Sequence, residues 1–288
     1  MGSMGCFGVV GGDRRQLYAA RFLREQGWTV LLAGWEQGED TRDLPQVSLE
    51  ELGNRAQKVL LPLPATRDGR FLNAPYSRDP IPLGDEFAKS LVGCQVYGGM
   101  VGLLRESSPL WEKIPLFDYF HREDLTLGNA FLTAEGAVAL AIQLSPRGLG
   151  GSRCLVTGFG RIGKALCLDL RGMGAQVDCA ARKSKDLTAI GALGYGACTY
   201  GTMQGPYDVV FNTVPAPVLT ESVLARLGPD PLVLELASAP GGVDRAAADR
   251  LGIRVEDAPS LPGRFSPQAS GELIARTVCA MLEETISQ

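Results

Sequence analysis

The sequence has few residues of the kinds that bind metals or nucleic acids. It contains one histidine, and its seven cysteines include no Cys-x-x-Cys pair, which argues against a zinc site or any other metal site. The cysteine count is odd and most cysteines lie in apolar segments, so we expect reduced thiols rather than disulfides. The net charge is −4, so we expect no nucleic-acid partner.

The start of the sequence also lacks the features of a signal peptide. Its apolar stretch, Cys6–Val10, is too short, and no charged region precedes it. The sequence therefore predicts a cytoplasmic protein with no membrane partner.

Strand-like and helix-like segments alternate through both halves of the 288 residues. This alternation predicts an α/β protein of two doubly wound Rossmann-like domains with an interdomain cleft, an architecture similar to 2-hydroxyacid dehydrogenases. We predict a first domain at 1–130, completed by a returning C-terminal helix at 266–288. A linking helix at 131–147, with Thr133 as its N-cap, leads into a cofactor domain at 148–265.

A glycine fingerprint, Gly158-Phe-Gly160-Arg-Ile-Gly163, lies between a strand-like run at 154–157 and a helix-like run at 161–173. Glycines at this spacing allow a tight turn and let the backbone approach a pyrophosphate at the start of a helix. The order of strand, fingerprint and helix predicts a dinucleotide site. The alternative is a turn that merely needs small residues.

A basic cluster, Arg182-Lys183-Ser184, stands at the end of the next strand, where an NAD-binding fold carries an acid. A carboxylate there would bind the ribose 2′-hydroxyl and repel a 2′-phosphate, whereas a guanidinium and a hydroxyl bind that phosphate. The sequence therefore predicts NADP as the cofactor.

Three further polar or glycine-rich segments follow later strands, and ligands bind beyond the carboxyl ends of parallel strands. Singly, each could be a turn chosen for its geometry, but together they favour a cofactor site. The predicted cofactor contacts are Gly158, Gly160, Arg161, Ile162, Ala181, Arg182, Lys183, Ser184, Asn212, Thr213, Val214, Pro215, Ala237, Ser238, Leu261 and Pro262.

The first half has its own glycine turn, Gly8-Val-Val-Gly11-Gly12, followed by Asp13-Arg14-Arg15. It lacks a third glycine, so we expect no second dinucleotide. Helix-start amides beside Arg15 suit a carboxylate of a small substrate. A solvated helix start remains the alternative.

Two groups are candidates for proton transfer. His121 is the single histidine, and it could equally be a surface or packing residue. Asn129, Thr133 and Glu135 form the better cluster, because the start of the linking helix should face the cleft.

The chain resembles the dipicolinate synthase A-subunit family of spore-forming bacteria, from the first strand to the last helix. The matching segments are Val10-Gly-Gly-Asp13 with Arg15-Gln16-Leu17, Leu60-Leu-Pro62, Arg122-Glu-Asp124 with Asn129, Thr133-Ala-Glu-Gly136, Gly158-Phe-Gly-Arg161, Ala181-Arg182 with Ser184, Asn212-Thr-Val-Pro215, Leu236-Ala-Ser238 with Pro240-Gly-Gly242, and Leu261-Pro-Gly263 with Pro267.

The resemblance implies oxidation of a dihydrodipicolinate to the aromatic diacid by an NADP-binding subunit, which works with a separate flavoprotein, the B-subunit. It also implies a place in the cytoplasm of the mother cell of a sporulating bacterium, on a branch of the lysine pathway. We expect an oligomer. Within this interpretation Glu135 is the candidate base, with Asn129 and Thr133 as orienting groups.

Three positions depart from the family pattern: His121 replaces an acid, and Ala239 and Gln268 stand where basic residues are common. If those bases hold a substrate carboxylate, this chain must use others, and Arg15 and Arg264 are the candidates. Asp13, close to Arg15 in the sequence, is also predicted to bind substrate.

Two other functions share this architecture. An NADP-dependent 2-hydroxyacid dehydrogenase normally needs a histidine–carboxylate pair after the sixth strand, and the region 259–267 has no histidine. A non-catalytic NADP-binding partner that regulates the flavoprotein stays open.

Overall fold

The structure is a computed structural model that describes residues 5–38 and 40–286, with side chains as far as residue 284. The chain forms two compact units, one of residues 1–129 and 266–288 and the other of residues 130–265. The predicted first domain, 1–130 with 266–288, therefore includes a few residues that lie outside the described part of the chain.

The first unit contains a five-stranded parallel sheet in the order β2-β1-β3-β4-β5. Its strands are short apolar runs, as expected for strands that helices cover on both faces. Short 3-10 helices at Pro109–Lys113 and Tyr119–His121 flank β5. The elements are β1 Cys6–Val10, α1 Arg14–Glu25, β2 Thr29–Ala33, α2 Leu49–Arg55, β3 Lys58–Leu60, α3 Asp85–Lys89, β4 Gln95–Gly98, α4 Gly102–Glu106, β5 Leu116–Asp118 and the start of α5 Glu123–Leu144.

The second unit contains a six-stranded parallel sheet in the order β11-β10-β9-β6-β7-β8, the strand order of dinucleotide-binding sheets. The predicted fold class, α/β with doubly wound parallel sheets, is confirmed. The elements after α5 are β6 Arg153–Thr157, α6 Arg161–Gly172, β7 Gln176–Ala180, α7 Ser184–Ala192, β8 Gly196–Cys198, β9 Val209–Asn212, α8 Glu221–Leu224, β10 Leu232–Glu235, α9 Arg245–Leu251, β11 Val255–Asp257 and α10 Leu261–Phe265.

The last helix, α11 Pro267–Ile286, belongs to the first unit. Its residues Ile274, Val278 and Leu282 are buried in one core cluster with Leu17 of α1. Near its end the Glu284 carboxylate accepts two hydrogen bonds from the Arg122 guanidinium, at 2.6 and 2.9 Å.

The helix α5 begins at Glu123, so the prediction that Thr133 caps a linking helix is wrong. Gly128 and Asn129 are typical of a loop, but a Cβ at Gly128 would lie only 2.7 Å from Leu273 Cδ2 of α11. Glycine therefore serves helix packing here. By length and composition α5 is also apolar enough to cross a membrane, with mean hydropathy 1.5 over an 18-residue window, but half of that window is buried, and buried core helices commonly meet the same criteria.

Five short elements were not expected from the sequence: α4, β8, α10 and the two 3-10 helices. The strand β8 consists of glycine, alanine and cysteine, of which the first two are poor strand formers. Gly196 is required there because a Cβ would overlap the Asp178 carboxylate of β7. The element is thus specified by a contact with its neighbour.

The packing of α11 on α1 depends on Gly271, where a Cβ would overlap the Arg15 carbonyl and lie 2.8 Å from Tyr18 Cβ. Gly271→Ala should lower the free energy of unfolding by about 1–3 kcal/mol, because helix backbones cannot move apart without losing core contacts. Urea unfolding measures this change. The control is Gly191→Ala in α7, where a Cβ meets nothing within 4 Å, and that change should be neutral or stabilising. Equal effects of both changes would contradict the packing argument.

Candidate functional site

The glycine fingerprint forms a tight turn between β6 and α6. Gly158 has a φ of +92°, and a Cβ there would lie 2.6 Å from Thr213 Oγ1 and 2.8 Å from Val214 Cγ2. A Cβ at Gly163 would overlap the Gly158 carbonyl, so glycine lets α6 pack directly on the turn. Gly160 is the N-cap of α6, and no described side chain caps it or would touch a Cβ there. In such folds a phosphate binds at this uncapped start of the helix.

The ends of three strands are joined beside this turn by a buried hydrogen-bond network. Thr157 ends β6, Asn212 ends β9 and Glu235 ends β10, and none is more than 5% exposed. Thr157 Oγ1 donates to Asn212 Oδ1, and Asn212 Nδ2 donates to Glu235 Oε1 at 2.7 Å. The strand order reverses between β6 and β9, which is where nucleotides bind in such sheets.

The Glu235 carboxylate fixes the loop after β10. Its Oε1 also accepts the Ala237 N–H at 3.1 Å, and its Oε2 accepts the N–H groups of Gly242 at 2.8 Å and Val243 at 3.2 Å. Sequence reasoning missed the role of this residue. The available signal was a charged residue at the end of an otherwise apolar strand, Leu232–Glu235.

The predicted cofactor residues at the ends of β9 and β10 differ in the solvent exposure of their side chains. The Asn212 side chain is fully buried and already bound to Thr157, Val214 and Glu235. A ligand can therefore reach only its neighbours in these two loops. Thr213, Val214 and Ala237 are half-buried, and Pro215 and Ser238 are exposed.

The basic cluster lies at the carboxyl end of β7, on the same sheet edge as the fingerprint. Ala181 is buried, whereas Arg182, Lys183 and Ser184 are exposed. Within residues 5–38 and 40–286 the Arg182 and Lys183 side chains form no hydrogen bond or ion pair. Burial raises the pKa of Tyr200, after β8, and the Arg182 charge partly opposes this rise, so the two side chains are neighbours. The edge thus carries two unneutralised cations.

Other predicted cofactor residues lie in helices. Arg161 and Ile162 form the first turn of α6. The segment 259–263, one of the three predicted to follow a strand as a turn, is a turn only at 259–260. Leu261 and Pro262 begin α10 and are buried, with Leu261 packed on Gly136 of α5. Proline is tolerated there because it lies in the first helical turn. Arg264 is exposed, with its guanidinium 5.4 Å from the Phe265 ring centroid.

The three predicted catalytic residues all lie on α5, where Asn129 is half-buried, Thr133 buried and Glu135 exposed. Asn129 and Thr133 are four residues apart and share a face, whereas Glu135 lies about 200° round the helix from Thr133. Glu135 is an electrostatic neighbour of Asp169 on α6. Burial of Asp169, and then the charge of Glu135, raises the pKa of Asp169. The buried Asp169 Oδ2 has no hydrogen-bond donor among the described residues.

In the first unit, Asp13 caps α1 and pairs with Arg15. The Arg15 Nε and Nη2 groups donate to the Asp13 carboxylate at 2.8–3.1 Å, and Nη2 also donates to the Leu63 carbonyl at 2.5 Å. Arg15 is only 6% exposed. Its guanidinium therefore ties the end of β1 to the segment after β3.

His121 follows β5 in a 3-10 helix, and its side chain is 86% exposed. Its Nδ1 lies 3.7 Å from Asp118 Oδ2, which is an ion-pair distance only when the imidazole is protonated. No cluster of metal-ligating side chains occurs among the described residues.

A cavity of about 610 Å³ in the second unit, lined by Arg153, Asp208 and Arg254 among others, lies at the opposite edge of the sheet. Those residues precede or begin β6, β9 and β11, whereas the fingerprint follows β6. The cavity is therefore separate from the candidate cofactor site.

Comparison with known proteins agrees with this geometry. Residues 6–103 match the model of the N-terminal domain of the dipicolinate synthase A-subunit. The chain is 29% identical over 286 residues to the dipicolinate synthase A-subunit of Bacillus subtilis (strain 168), covering 96% of this chain and 95% of that protein. The predicted resemblance to the dipicolinate synthase A-subunit is confirmed.

Solved structures extend the likeness to three dimensions. The crystal structure of the dipicolinate synthase A-subunit from Bacillus halodurans has a TM-score of 0.84 and 28% identity, covering 97% of this chain and 98% of that one. A transhydrogenase from Sinorhizobium meliloti shares the fold, with a TM-score of 0.68, 16% identity, and coverage of 97% and 94%. The chain therefore shares its fold with both proteins over nearly its whole length.

Glu235→Gln should destabilise the protein by roughly 1–3 kcal/mol, because an amide nitrogen would replace one of two oxygens that face N–H donors. Urea unfolding measures the change, with Glu221→Gln as control, since that side chain is 59% exposed. A loss no larger than that of the control would show that the carboxylate does not hold the loop.

Asp169→Asn should stabilise the protein at pH 7. The pKa of Asp169 is raised in the folded state. Ionisation of this carboxyl is therefore less favourable in the folded than in the unfolded protein, which lowers the free energy of unfolding at every pH above its pKa in the unfolded state. The gain should vanish near about pH 3, where the carboxyl is protonated in both states. Urea midpoints at both pH values test this. Asp249→Asn on α9 is an exposed control, and an equal gain from it would contradict the prediction.

Proposed function

We propose that this chain is the NADP-binding subunit of a dipicolinate synthase, which oxidises a dihydrodipicolinate to dipicolinate together with a flavoprotein partner. The observation that carries the proposal is the pair of unneutralised cations, Arg182 and Lys183, on the sheet edge that bears the glycine turn. They occur in a chain similar over 96% of its length to a dipicolinate synthase A-subunit.

The residues present fit a dinucleotide. Glycine at 158 and 163 brings backbone to the turn where any Cβ would clash, and the start of α6 is left for a pyrophosphate. Arg182 and Ser184 would bind a 2′-phosphate, and Thr213 to Pro215 with Ala237 and Ser238 would border the nicotinamide half. When bound, the cofactor supplies a hydride acceptor.

In this reaction the substrate ring loses a hydride and a proton and becomes aromatic, so the protein chiefly aligns the reactants and anchors two carboxylates. We assign proton removal to Glu135, with Asn129 and Thr133 as orienting groups. Arg264 is exposed, and we assign it an additional contact to one of these carboxylates. Asp13 and Arg15 act by fixing the Gly11–Gly12 turn, because the Arg15 guanidinium is already engaged. The proposed setting is the cytoplasm of a sporulating mother cell.

The test supplies dihydrodipicolinate and NADP to the chain alone and then with its flavoprotein partner, following absorbance of the aromatic product and of reduced nicotinamide. Both signals rising together support the proposal. Product formed with the partner but without reduced nicotinamide would favour a regulatory NADP-binding subunit. Turnover of a 2-oxoacid with NADPH would favour a 2-hydroxyacid dehydrogenase.

Arg182→Ala should weaken NADP binding about ten- to a hundredfold, corresponding to about 1.5–3 kcal/mol, because one charge-assisted contact to the 2′-phosphate is lost. NAD affinity should barely change. Calorimetry of both cofactors makes the comparison, with Lys185→Ala in α7 as a control at an exposed cationic position. Equal binding of NAD and NADP by the parent protein would contradict the assignment.

A further inference from the structure

A cavity of about 400 Å³ lies in the first unit, within the segment that follows β3. Arg67, Phe71, Asn73 and Arg78 line it, together with Asp68 and several small or apolar residues. Its volume falls within the range of small-molecule sites. Neither the glycine turn of the second unit nor the predicted residue Arg15 belongs to it.

The cavity adjoins the end of β1. The Gly12 N–H donates to the Asn73 carbonyl at 2.8 Å, and a Cβ at Gly11 would lie 2.8 Å from Ala74 Cβ. In the sheet order β2-β1-β3 the chain passes from β1 to β2 on one side and then to β3 on the other side of β1, so the strand order reverses between β1 and β3. Ligands of open parallel sheets bind at such a point.

Two arginines give this cavity its charge. Arg67 and Arg78 are exposed, and their side chains form no hydrogen bond or ion pair with the described part of the chain. The Asp68 carboxylate is turned to its own loop, where Oδ1 accepts the N–H groups of Arg70 at 2.9 Å and Phe71 at 3.1 Å. The cavity therefore has a net positive lining with two cations free to bind anions.

The other residues that line this cavity suit a planar aromatic ligand. The Phe71 side chain is large and apolar, and the residue is 43% exposed. The Asn73 side-chain amide donates to the Pro64 carbonyl at 3.1 Å, which fixes this part of the wall. A cavity lined by an exposed phenyl ring and two guanidinium groups suits a planar molecule that carries two carboxylates.

Arg15, in contrast, is nearly buried and bound within the first unit. Its Nε and Nη2 groups donate to the Asp13 carboxylate, and Nη2 also donates to the Leu63 carbonyl. The residue is only 6% exposed, so it is less accessible to a substrate than Arg67 or Arg78.

We propose that Arg67 and Arg78 bind the two carboxylates of a planar six-membered-ring dicarboxylate, with its ring on Phe71. This inference rests on the proposed function, because it identifies the substrate-binding site of that reaction. Each guanidinium binds one carboxylate, so the preference for two carboxylates over one depends on both arginines.

The experiment measures binding of dipicolinate and of picolinate, which has one carboxylate, to the NADP-saturated protein by calorimetry. The parent protein should bind dipicolinate at least tenfold more tightly than picolinate. Arg67→Ala and Arg78→Ala should each weaken dipicolinate binding about ten- to a hundredfold and abolish that preference. Phe71→Ala should weaken both ligands alike. The control is Arg70→Ala, at an exposed arginine of the same segment that does not line the cavity, and it should change neither affinity more than about twofold.

All four positions are exposed, so the variants should keep the parent melting temperature and NADP affinity. Unchanged dipicolinate binding in Arg67→Ala and Arg78→Ala, equal losses in Arg70→Ala, or no binding of dipicolinate by the parent protein would each overturn the inference. A separate turnover assay distinguishes the proposed function. If dihydrodipicolinate is oxidised normally by both arginine variants at low substrate, the site is wrong while the function stands. If the parent binds dipicolinate through the arginines without turnover, the site stands and the function fails.

Discussion

The carboxyl edge of the second sheet depends on one buried carboxylate. Glu235 is 5% exposed, and four N–H groups donate to its carboxylate, one from Asn212 and three from the backbone. A buried anion is costly unless donors surround it. Because these donors come from the end of β9 and from the loop after β10, the carboxylate can be satisfied only when both are in place. The arrangement of this sheet edge and the hydrogen bonding of one buried carboxylate therefore depend on each other.

Local chemistry explains what could be predicted. The alternation of apolar strands and helices indicated the two parallel sheets, and the fingerprint at Gly158 to Gly163 required only its own strand and helix. The start of α5 could not be predicted in this way. Gly128 looks like a helix break, and only its contact with Leu273, far along the chain, shows that the helix needs a small residue there. The strand β8 is similar, since Gly196 is explained by Asp178 of the adjacent strand.

The same limit applies to the site. A sequence shows which residues are charged but not which charges are already paired. Arg15 and Arg182 look alike as anion-binding candidates, yet the first is buried against Asp13 and the second is exposed without a partner in the described chain. The pairing follows from the fold of the first unit, where the Arg15 guanidinium also reaches a carbonyl after β3. The role of Glu235 could not be predicted because its hydrogen-bond donors lie on other segments. They come close to its carboxylate only when the strands of the second sheet are assembled.

The first unit is discontinuous in sequence, and this affects how the chain is made. Its core cluster combines Phe7 of β1 and Leu17 of α1 with Ile274, Val278 and Leu282 of α11. All of residues 130–265, the whole second unit, are synthesised between these two sets. Synthesis proceeds from the N-terminus. The apolar residues of β1 and α1 therefore cannot pack against α11 until the ribosome has completed that last helix. The nascent first unit therefore has an uncovered apolar surface for the time needed to translate the second unit.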